Sequence, residues 1–292
     1  MLLQKLLSDE SIEDILLSPK GLSYFAKGTW TGPEADVSCD NKNLFSLARR
    51  IAERSHLTLG LTQPSVDSFV DFQGEHLFRA HVVIAPMVLV GPEITLRRLP
   101  KTHRFNIESF SSNEQDISKL RNAIHSKKSI LIAGSTGAGK SSLLTACLNE
   151  LPQNERVLIL EDSPELPIPN ALSSKLIARN DRFGFREGSE WNLCHLVFES
   201  LRMRPSRIVV GECRGPEARA ISQALMTGHR GLWTTLHAGS CAQALERFSE
   251  LVKAEKSLVN FDSHKYWDLI VHIDCNEKGE RQIKELFNAC SD

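Results

Sequence analysis

Gly134-Ser135-Thr136-Gly137-Ala138-Gly139-Lys140-Ser141 has the spacing G-x-x-x-x-G-K-[ST], and what flanks it decides the fold. Ahead of it, Ser129-Ile130-Leu131-Ile132-Ala133 is a short apolar run of the kind that forms a buried parallel strand. Behind it, Lys140 to Glu150 reads as a helix stopped near Pro152. Glycines in such a loop let the backbone wrap closely around a pyrophosphate, so that successive N–H groups and the helix N-terminus point at negative oxygens. Lys140 is then expected to neutralise the β- and γ-phosphates and Ser141 to hold Mg²⁺. The expected nucleotide contacts in the loop are Gly134, Ser135, Thr136, Gly137, Ala138, Gly139, Lys140, Ser141 and Ser142.

Downstream, apolar strands and helices alternate. Arg156 to Leu160 reads as a strand and runs into Glu161-Asp162-Ser163-Pro164-Glu165. Trp191 to Met203 reads as a helix, and Arg207-Ile208-Val209-Val210 as a strand followed by Gly211-Glu212. Acids placed after strands lie at the edge where open α/β sheets bind ligands. Near a bound nucleotide a carboxylate there assists Mg²⁺ or the attacking water. Glu212 is a candidate to orient that water or accept its proton. Glu165 is a further catalytic candidate, Glu161 and Asp162 are candidates near Mg²⁺ with Ser141, and residue types alone do not say which carboxylate does which. Pro216 to Met226 reads as a helix ending at Thr227-Gly228, and Leu232 to Leu236 as a strand ending at His237. Ser240 is placed to cap a helix from Cys241 to Ala254. Leu269 to Ile273 and Arg281 to Phe287 flank Asn276-Glu277-Lys278-Gly279 as a closing hairpin. This alternation predicts a mostly parallel, RecA-like sheet with antiparallel additions.

Upstream, Leu2, Leu3, Leu6 and Leu7, then Ile12, Ile15 and Leu16, recur at helical spacing. Gly21 to Gly32 contains two extended stretches split by Lys27-Gly28. A second amphipathic helix is marked by Leu44, Leu47, Ala48, Ile51 and Ala52, followed by strands at Ser65 to Phe72 and His76 to Ala85 joined across Gly74. The two-residue period of a strand puts Arg79 and His81 opposite Phe78, Ala80 and Val82. It likewise puts Thr95 and Arg97 opposite Ile94 and Leu96, with Arg98 on the other face from Arg97. Pro100-Lys101-Thr102-His103-Arg104 is polar and opens on proline, so a linker is expected there. The expected organisation is a smaller α+β N-terminal domain over residues 1–100, a linker over 101–115 and an α/β, RecA-like nucleotide-hydrolysing domain over 116–292, with a polar helix from Asp116 to His125 leading into the loop strand.

The 292 residues are 41% hydrophobic and 24% charged, enough to bury a full core and more than one average domain needs. A formal net charge of -1 gives no global basic field for a polyanion, so no direct nucleic-acid partner is expected. No apolar run approaches the roughly eighteen residues of a membrane span, and the start of the chain turns acidic too soon for a signal peptide, so a cytoplasmic protein is expected. Seven scattered cysteines without a C-x-x-C pair suggest reduced thiols rather than a disulfide framework or a zinc site.

These motifs in this order resemble the type II/type IV secretion-system traffic ATPases. Gly134 to Ser141 is similar to the family's Walker A motif, Leu160-Glu161-Asp162-Ser163-Pro164-Glu165-Leu166 to its Asp box and Ile208-Val209-Val210-Gly211-Glu212 to its atypical Walker B. Thr227-Gly228-His229-Arg230-Gly231 through Thr235-Leu236-His237-Ala238 resembles its His box. Leu201-Arg202-Met203-Arg204-Pro205 and Arg214-Gly215-Pro216-Glu217-Ala218 resemble the branch holding the VirB-type secretion and tight-adherence pilus ATPases, although Ser206 stands where that branch commonly has Asp. The resemblance implies ATP and Mg²⁺ as cofactors, a catalytic part for Glu212 and His237, and arginines lent to the phosphates by the N-terminal domain, at positions matching Arg79 and Arg97. It also implies a hexameric motor peripherally associated with the inner membrane, working on platform proteins of a secretion, conjugation or pilus machine. Two other functions suit the sequence less well. A RecA-like nucleic-acid translocase would call for a basic groove or stacking aromatics, and aromatics make up only 7% of the chain. A non-hydrolysing nucleotide switch sits badly with Lys140, Glu212 and His237 all being present. No guanine-reading N-K-x-D is apparent, which favours ATP over GTP.

Overall fold

A computed structural model describes residues 2–36, 39–55, 57–72, 76–99, 105–178, 191–254, 261–276 and 279–289. The chain forms two compact units, one within Met1–Lys101 and the other within Thr102–Asn180 and Gly188–Asp292.

The first unit is built on an antiparallel sheet. Helix α1 (Leu2–Ser8) leads into β1 (Ile12–Ser18), β2 (Gly21–Ala26) and β3 (Thr29–Glu34); α2 (Asn41–Arg54) then leads to β4 (Ser65–Phe72), β5 (His76–Val83) and β6 (Glu93–Arg98). The strand order is β3-β2-β1-β6-β5-β4. Ile12, Ile15 and Leu16 therefore lie on a strand, not on the helix their spacing suggests. A bulge between Ile12 and Asp14 shifts the register, so Ile12 and Ile15 are both buried although they are three positions apart, an odd offset that would put them on opposite faces of a regular strand. The bulge makes a strand read like a helix. Local chemistry ends α1 first: the Ser11 N–H and hydroxyl both donate to Asp9 Oδ1. Helix α2 starts where Asp40 accepts from the Lys42 N–H, and it buries Leu44, Ala48, Ile51 and Ala52 in the core that lines one face of the sheet. Burying Leu44 and Ile51 contributes about 1.5–3 kcal/mol each.

Of the expected linker, residues 101–104 fall outside the described residues. Its next part belongs to the second unit: Ile107–Phe110 is a 3-10 turn whose Ile107 and Phe110 are fully buried. The turn carries two large apolar side chains that a free linker would leave in water. Helix α3 (Glu114–His125) follows, with Asn113 capping its start, then β7 (Ile130–Ala133), α4 (Lys140–Asn149), β8 (Val157–Glu161), β9 (Ser174–Ile177) and α5 (Leu193–Ser200). The chain continues as β10 (Arg207–Val210), α6 (Glu217–Met226), β11 (Leu232–Leu236), α7 (Cys241–Ala254), β12 (Leu269–Cys275) and β13 (Arg281–Asn288). The sheet order is β13-β12-β7-β11-β10-β8-β9, parallel throughout except for the antiparallel β12–β13 hairpin. This is the RecA-like, mostly parallel α/β architecture read from the sequence.

Strands β7, β8, β10 and β11 are buried at every position because the sheet is covered on both faces. Leu131 and Ala133 face one core with α5, α6 and α7, while Ile130 and Ile132 face the other with α4 and the turn at Ile107–Phe110. Helix α5 is shorter than the stretch from Trp191 to Met203, beginning where Asn192 accepts from the His195 N–H. Strand β9 has no counterpart in the sequence reading. Its four residues are all half-buried at the sheet edge, so it lacks the apolar run of an interior strand.

Candidate nucleotide-binding site

Parallel pairing brings the C-terminal ends of β7, β8, β10 and β11 to one edge of the sheet, and each end is followed by a residue singled out by the sequence. The loop after β7 reaches Lys140, the first residue of α4. Gly139, which precedes it, has φ +97°, a left-handed conformation that side chains disfavour. A β-carbon at Gly134 would collide with the Ile273 carbonyl of β12. Ser135, Thr136, Gly137 and Ser141 are exposed, Gly139 and Ser142 are half-buried, and Ala138 is buried.

Lys140 is bent back over its own loop. Its ammonium donates to the carbonyls of Gly134 (3.1 Å) and Ser135 (2.8 Å) and lies 3.1 Å from His237 Nδ1. Burial lowers its pKa, opposed by the nearby Glu212 carboxylate. An ammonium has only protons to offer, so His237 accepts from it at Nδ1. The other ring nitrogen, Nε2, sits 2.9 Å from Glu212 Oε1, a buried oxygen with no hydrogen-bond partner among the described residues, while Glu212 Oε2 pairs with Arg214. The Glu212 carboxylate in turn raises the pKa of Arg214. Lys140, His237, Glu212 and Arg214 thus form one continuous chain of polar contacts. The strand ends beneath it are laced together, since the Thr235 hydroxyl donates to the Gly211 carbonyl (2.8 Å) and the Cys213 N–H donates to the Thr235 carbonyl (2.8 Å).

The other acids play different parts. Glu161 is buried, and its Oε1 accepts from the N–H groups of Glu165 (3.0 Å) and Leu166 (2.9 Å). Its Oε2 lies 3.2 Å from the Lys175 ammonium of β9. Burial pushes this carboxyl up to about 7 against the pull of Lys175 and the two N–H donors. Glu161, expected from the sequence near Mg²⁺, is thus engaged by its own loop and by Lys175. Asp162 is exposed and its charge acts on Arg214; the Glu165 side chain is exposed as well. Among the described residues no three acid, histidine or cysteine side chains are grouped to hold a metal by themselves. The Ser141 hydroxyl, exposed at the start of α4, is a single hard oxygen of the kind that Mg²⁺ takes while keeping several waters.

Several contributors escaped the sequence reading. Arg214 grips Glu212, and the Glu217 carboxylate accepts from the N–H groups of Arg214 and Gly215 (2.8 Å), holding the segment after Glu212 in place. Across the loop, the Ser135 hydroxyl donates to Asp274 (3.3 Å), and Arg281 donates to the Ser142 hydroxyl (2.8 Å). A charged residue just after a motif strand was the available signal for Arg214. Nothing in the spacing marked Asp274 or Arg281, which reach the loop only through the β12–β13 hairpin.

Arg79 and Arg97 belong to the first unit. Both side chains lie on the exposed face of its sheet, as parity predicted, and the two residues are direct cross-strand partners in β5 and β6. Arg98 faces the other way. It donates to the carbonyls of Ile12, Leu6, Leu7 and Asp9 and lies over the Phe78 ring at 4.6 Å.

Comparison with known proteins agrees with this architecture. The chain is 27% identical to the conjugal transfer protein TrbB of Rhizobium radiobacter over 97% of this chain and 85% of that one. It is 37% identical to the type IV secretion system protein VirB11 of Bartonella quintana over 60% of this chain and 50% of that one. Its fold matches the crystal structure of the pilus retraction motor PilT with bound ADP at a TM-score of 0.72 and 19% identity, covering 99% of this chain and 82% of that one. A family model described as "Type II/IV secretion system protein" matches residues 70–263, and the chain belongs to that family.

Proposed function

We propose that this protein is an ATPase that binds Mg²⁺-ATP at the loop Gly134–Ser142 and converts its hydrolysis into work on a secretion or conjugation machine. The chain of contacts from Lys140 through His237 to Glu212 carries this reading, because it aligns a phosphate-binding cation, a histidine and a carboxylate at the edge where the loop opens. Lys140 neutralises the β/γ-phosphates, Glu212 orients the attacking water, and His237 holds Glu212 and Lys140 in register. Ser141 is the residue assigned to hold Mg²⁺, which supplies charge neutralisation at the phosphates when bound. Arg79 and Arg97 are assigned to the γ-phosphate.

Similarity to TrbB and VirB11 supports conjugation or type IV secretion as the setting, with a homohexamer acting on inner-membrane platform proteins. No helix among the described residues is long and apolar enough to cross a membrane. The deciding experiment measures phosphate release from ATP by the purified chain with and without Mg²⁺, alongside light scattering. Mg²⁺-dependent turnover by an oligomer is expected; absence of turnover at every protein concentration would overturn the reading, and strong stimulation by single-stranded DNA would favour a translocase instead.

A further inference from the structure

The loop has two walls. Strand β7 lies between β11 and β12, so the loop that leaves it is flanked by His237 at the end of β11 on one side and by the β12–β13 hairpin on the other. Lys140, His237 and Glu212 mark the first wall as the side of the transferring phosphate. The second wall presents Arg281, the first residue of β13.

Three contacts hold the Arg281 side chain in one place. Its Nη1 donates to the Ser142 hydroxyl at 2.8 Å, two residues into α4. Its Cδ fills the space where a β-carbon at Gly139 would otherwise stand, so the absence of a side chain at Gly139 admits the arginine stem against the loop. Its guanidinium lies 5.4 Å from the centre of the Phe105 ring, a distance at which a cation is attracted to the ring face. Among the described residues no carboxylate neutralises this guanidinium. A half-buried, positioned cation with unspent donors beside the first turn of a loop helix is arranged for an anion, and a guanidinium suits phosphate oxygens because it donates in a planar fork.

We propose that Arg281 is a nucleotide-binding residue that contacts the α- and β-phosphates from the hairpin side of the loop. The proposal rests on the nucleotide reading given above and adds to it a second cation, on the opposite flank from Lys140. Backbone N–H groups of such a loop cradle the α/β-phosphates, while its lysine reaches the β/γ pair. Arg281, beside Gly139 and Ser142 and on the wall away from His237 and Glu212, meets the portion that ATP and ADP share. It therefore adds affinity without telling the two nucleotides apart. The hairpin is thereby part of the binding site rather than a closing edge of the sheet.

The test is titration of ATP and ADP into Arg281→Met, which keeps an unbranched apolar stem against Gly139 and removes the charge. Both affinities are expected to fall about tenfold with their ratio unchanged, as for loss of one charge-assisted hydrogen bond. The melting temperature without nucleotide is expected to stay close to that of the wild type. Arg281→Lys retains the charge and is expected to recover part of the loss, and it serves as the second variant if Arg281→Met folds poorly. Unchanged affinities for both nucleotides in a wild-type background that binds them would overturn the proposal while leaving the nucleotide reading intact. A loss confined to ATP would also overturn it, by moving Arg281 to the γ side. Failure of the wild-type protein to bind either nucleotide would remove both.

Discussion

The ammonium nitrogen of Lys140 lies 3.1 Å from Nδ1 of His237, whose other ring nitrogen faces Glu212 at 2.9 Å. A phosphate-loop lysine and a strand-end carboxylate are thus linked through one imidazole. The link makes their two mutants distinguishable. Lys140→Ala removes the positive charge over the transferring phosphate, and nucleotide turnover is expected to be abolished together with much of the ATP affinity. Glu212→Gln keeps the shape and removes the water-orienting charge, so ATP is expected to stay bound while hydrolysis slows about a hundredfold or more. Single-turnover hydrolysis and nucleotide titration of both variants check this. Wild-type turnover in Glu212→Gln would pass the role to Glu165 or Asp162, because Glu161 is already engaged.

Arg98 is one residue from Arg97 and does something unrelated. Its donors converge on four backbone carbonyls at and beyond the end of α1, and the Phe78 ring lies beneath it. Those carbonyls include orphan acceptors of a helix end, which lose their partner when the guanidinium is removed. Arg98→Ala is expected to cost about 2 kcal/mol, lowering the melting temperature by several degrees with no selective loss of ATP over ADP. Parity in β6 placed Arg98 on the face away from Arg97, but its role as the tie between α1 and the strands is visible only in the fold. A melting scan of the nucleotide-free variant measures it; an unchanged transition would mean that the four carbonyls are satisfied without the arginine.

Glu161 gives stability a pH dependence whose sign follows from its raised pKa. Unfolded, the carboxyl titrates near 4.5; folded, burial pushes it up to about 7. Below about pH 4.5 it is protonated in both states. Between there and about pH 7 the unfolded chain sheds a proton that the folded protein keeps, so this residue's contribution to stability falls as pH rises, and above pH 7 the loss is constant. The span corresponds to roughly 3 kcal/mol. Glu161→Gln cannot titrate, and its melting temperature relative to wild type is expected to rise between pH 5 and pH 8. Loss of the Lys175 partner shifts the variant by an amount that does not vary across this range, so the slope is the readout. Parallel pH profiles would show that Glu161 titrates normally.

The parts of the fold that were legible are those in which one physical rule acts alone. Interior strands such as Leu232–Leu236 announce themselves as apolar runs because the sheet is covered on both faces. The end of α6 at Thr227-Gly228 was readable because Gly228, with φ +88°, takes a conformation few other residues accept. Legibility ended where two rules overlapped. The bulge beside Ile12 produced helix-like spacing in a strand, and the edge strand Ser174–Ile177 lacked an apolar signature. In the site, the loop, Glu212 and His237 could be named from their motifs. The commitment of Glu161 to Leu166 and Lys175 could not, since it depends on β9 pairing beside β8. Arg281 was hidden for the same reason, because it meets Ser142 across 139 residues of sequence.

Arg79 and Arg97 are direct cross-strand partners on the exposed face of the first unit, a placement that sets like charges against each other. Their acidic neighbours relieve this only loosely. Arg79 lies 3.7 Å from Asp67, an acid shared with His81, and Arg97 lies 3.9 Å from Asp14, with the Arg97 side chain 73% exposed. Two poorly compensated guanidinium groups side by side contribute little to folding, and removing either relieves repulsion. Their arrangement suits an incoming anion with several oxygens, which bidentate donors bind better than a lysine would. Assigned to the γ-phosphate, they make ATP binding sensitive to a charge that ADP lacks, and release of phosphate removes what they hold. Arg79→Ala and Arg97→Ala are each expected to preserve or slightly raise the melting temperature without nucleotide, and to weaken ATP about tenfold more than ADP. Titration of both nucleotides into each variant decides the matter. Equal losses for ATP and ADP, or no loss for either, would separate these arginines from the γ-phosphate and leave them as a charged patch on the sheet.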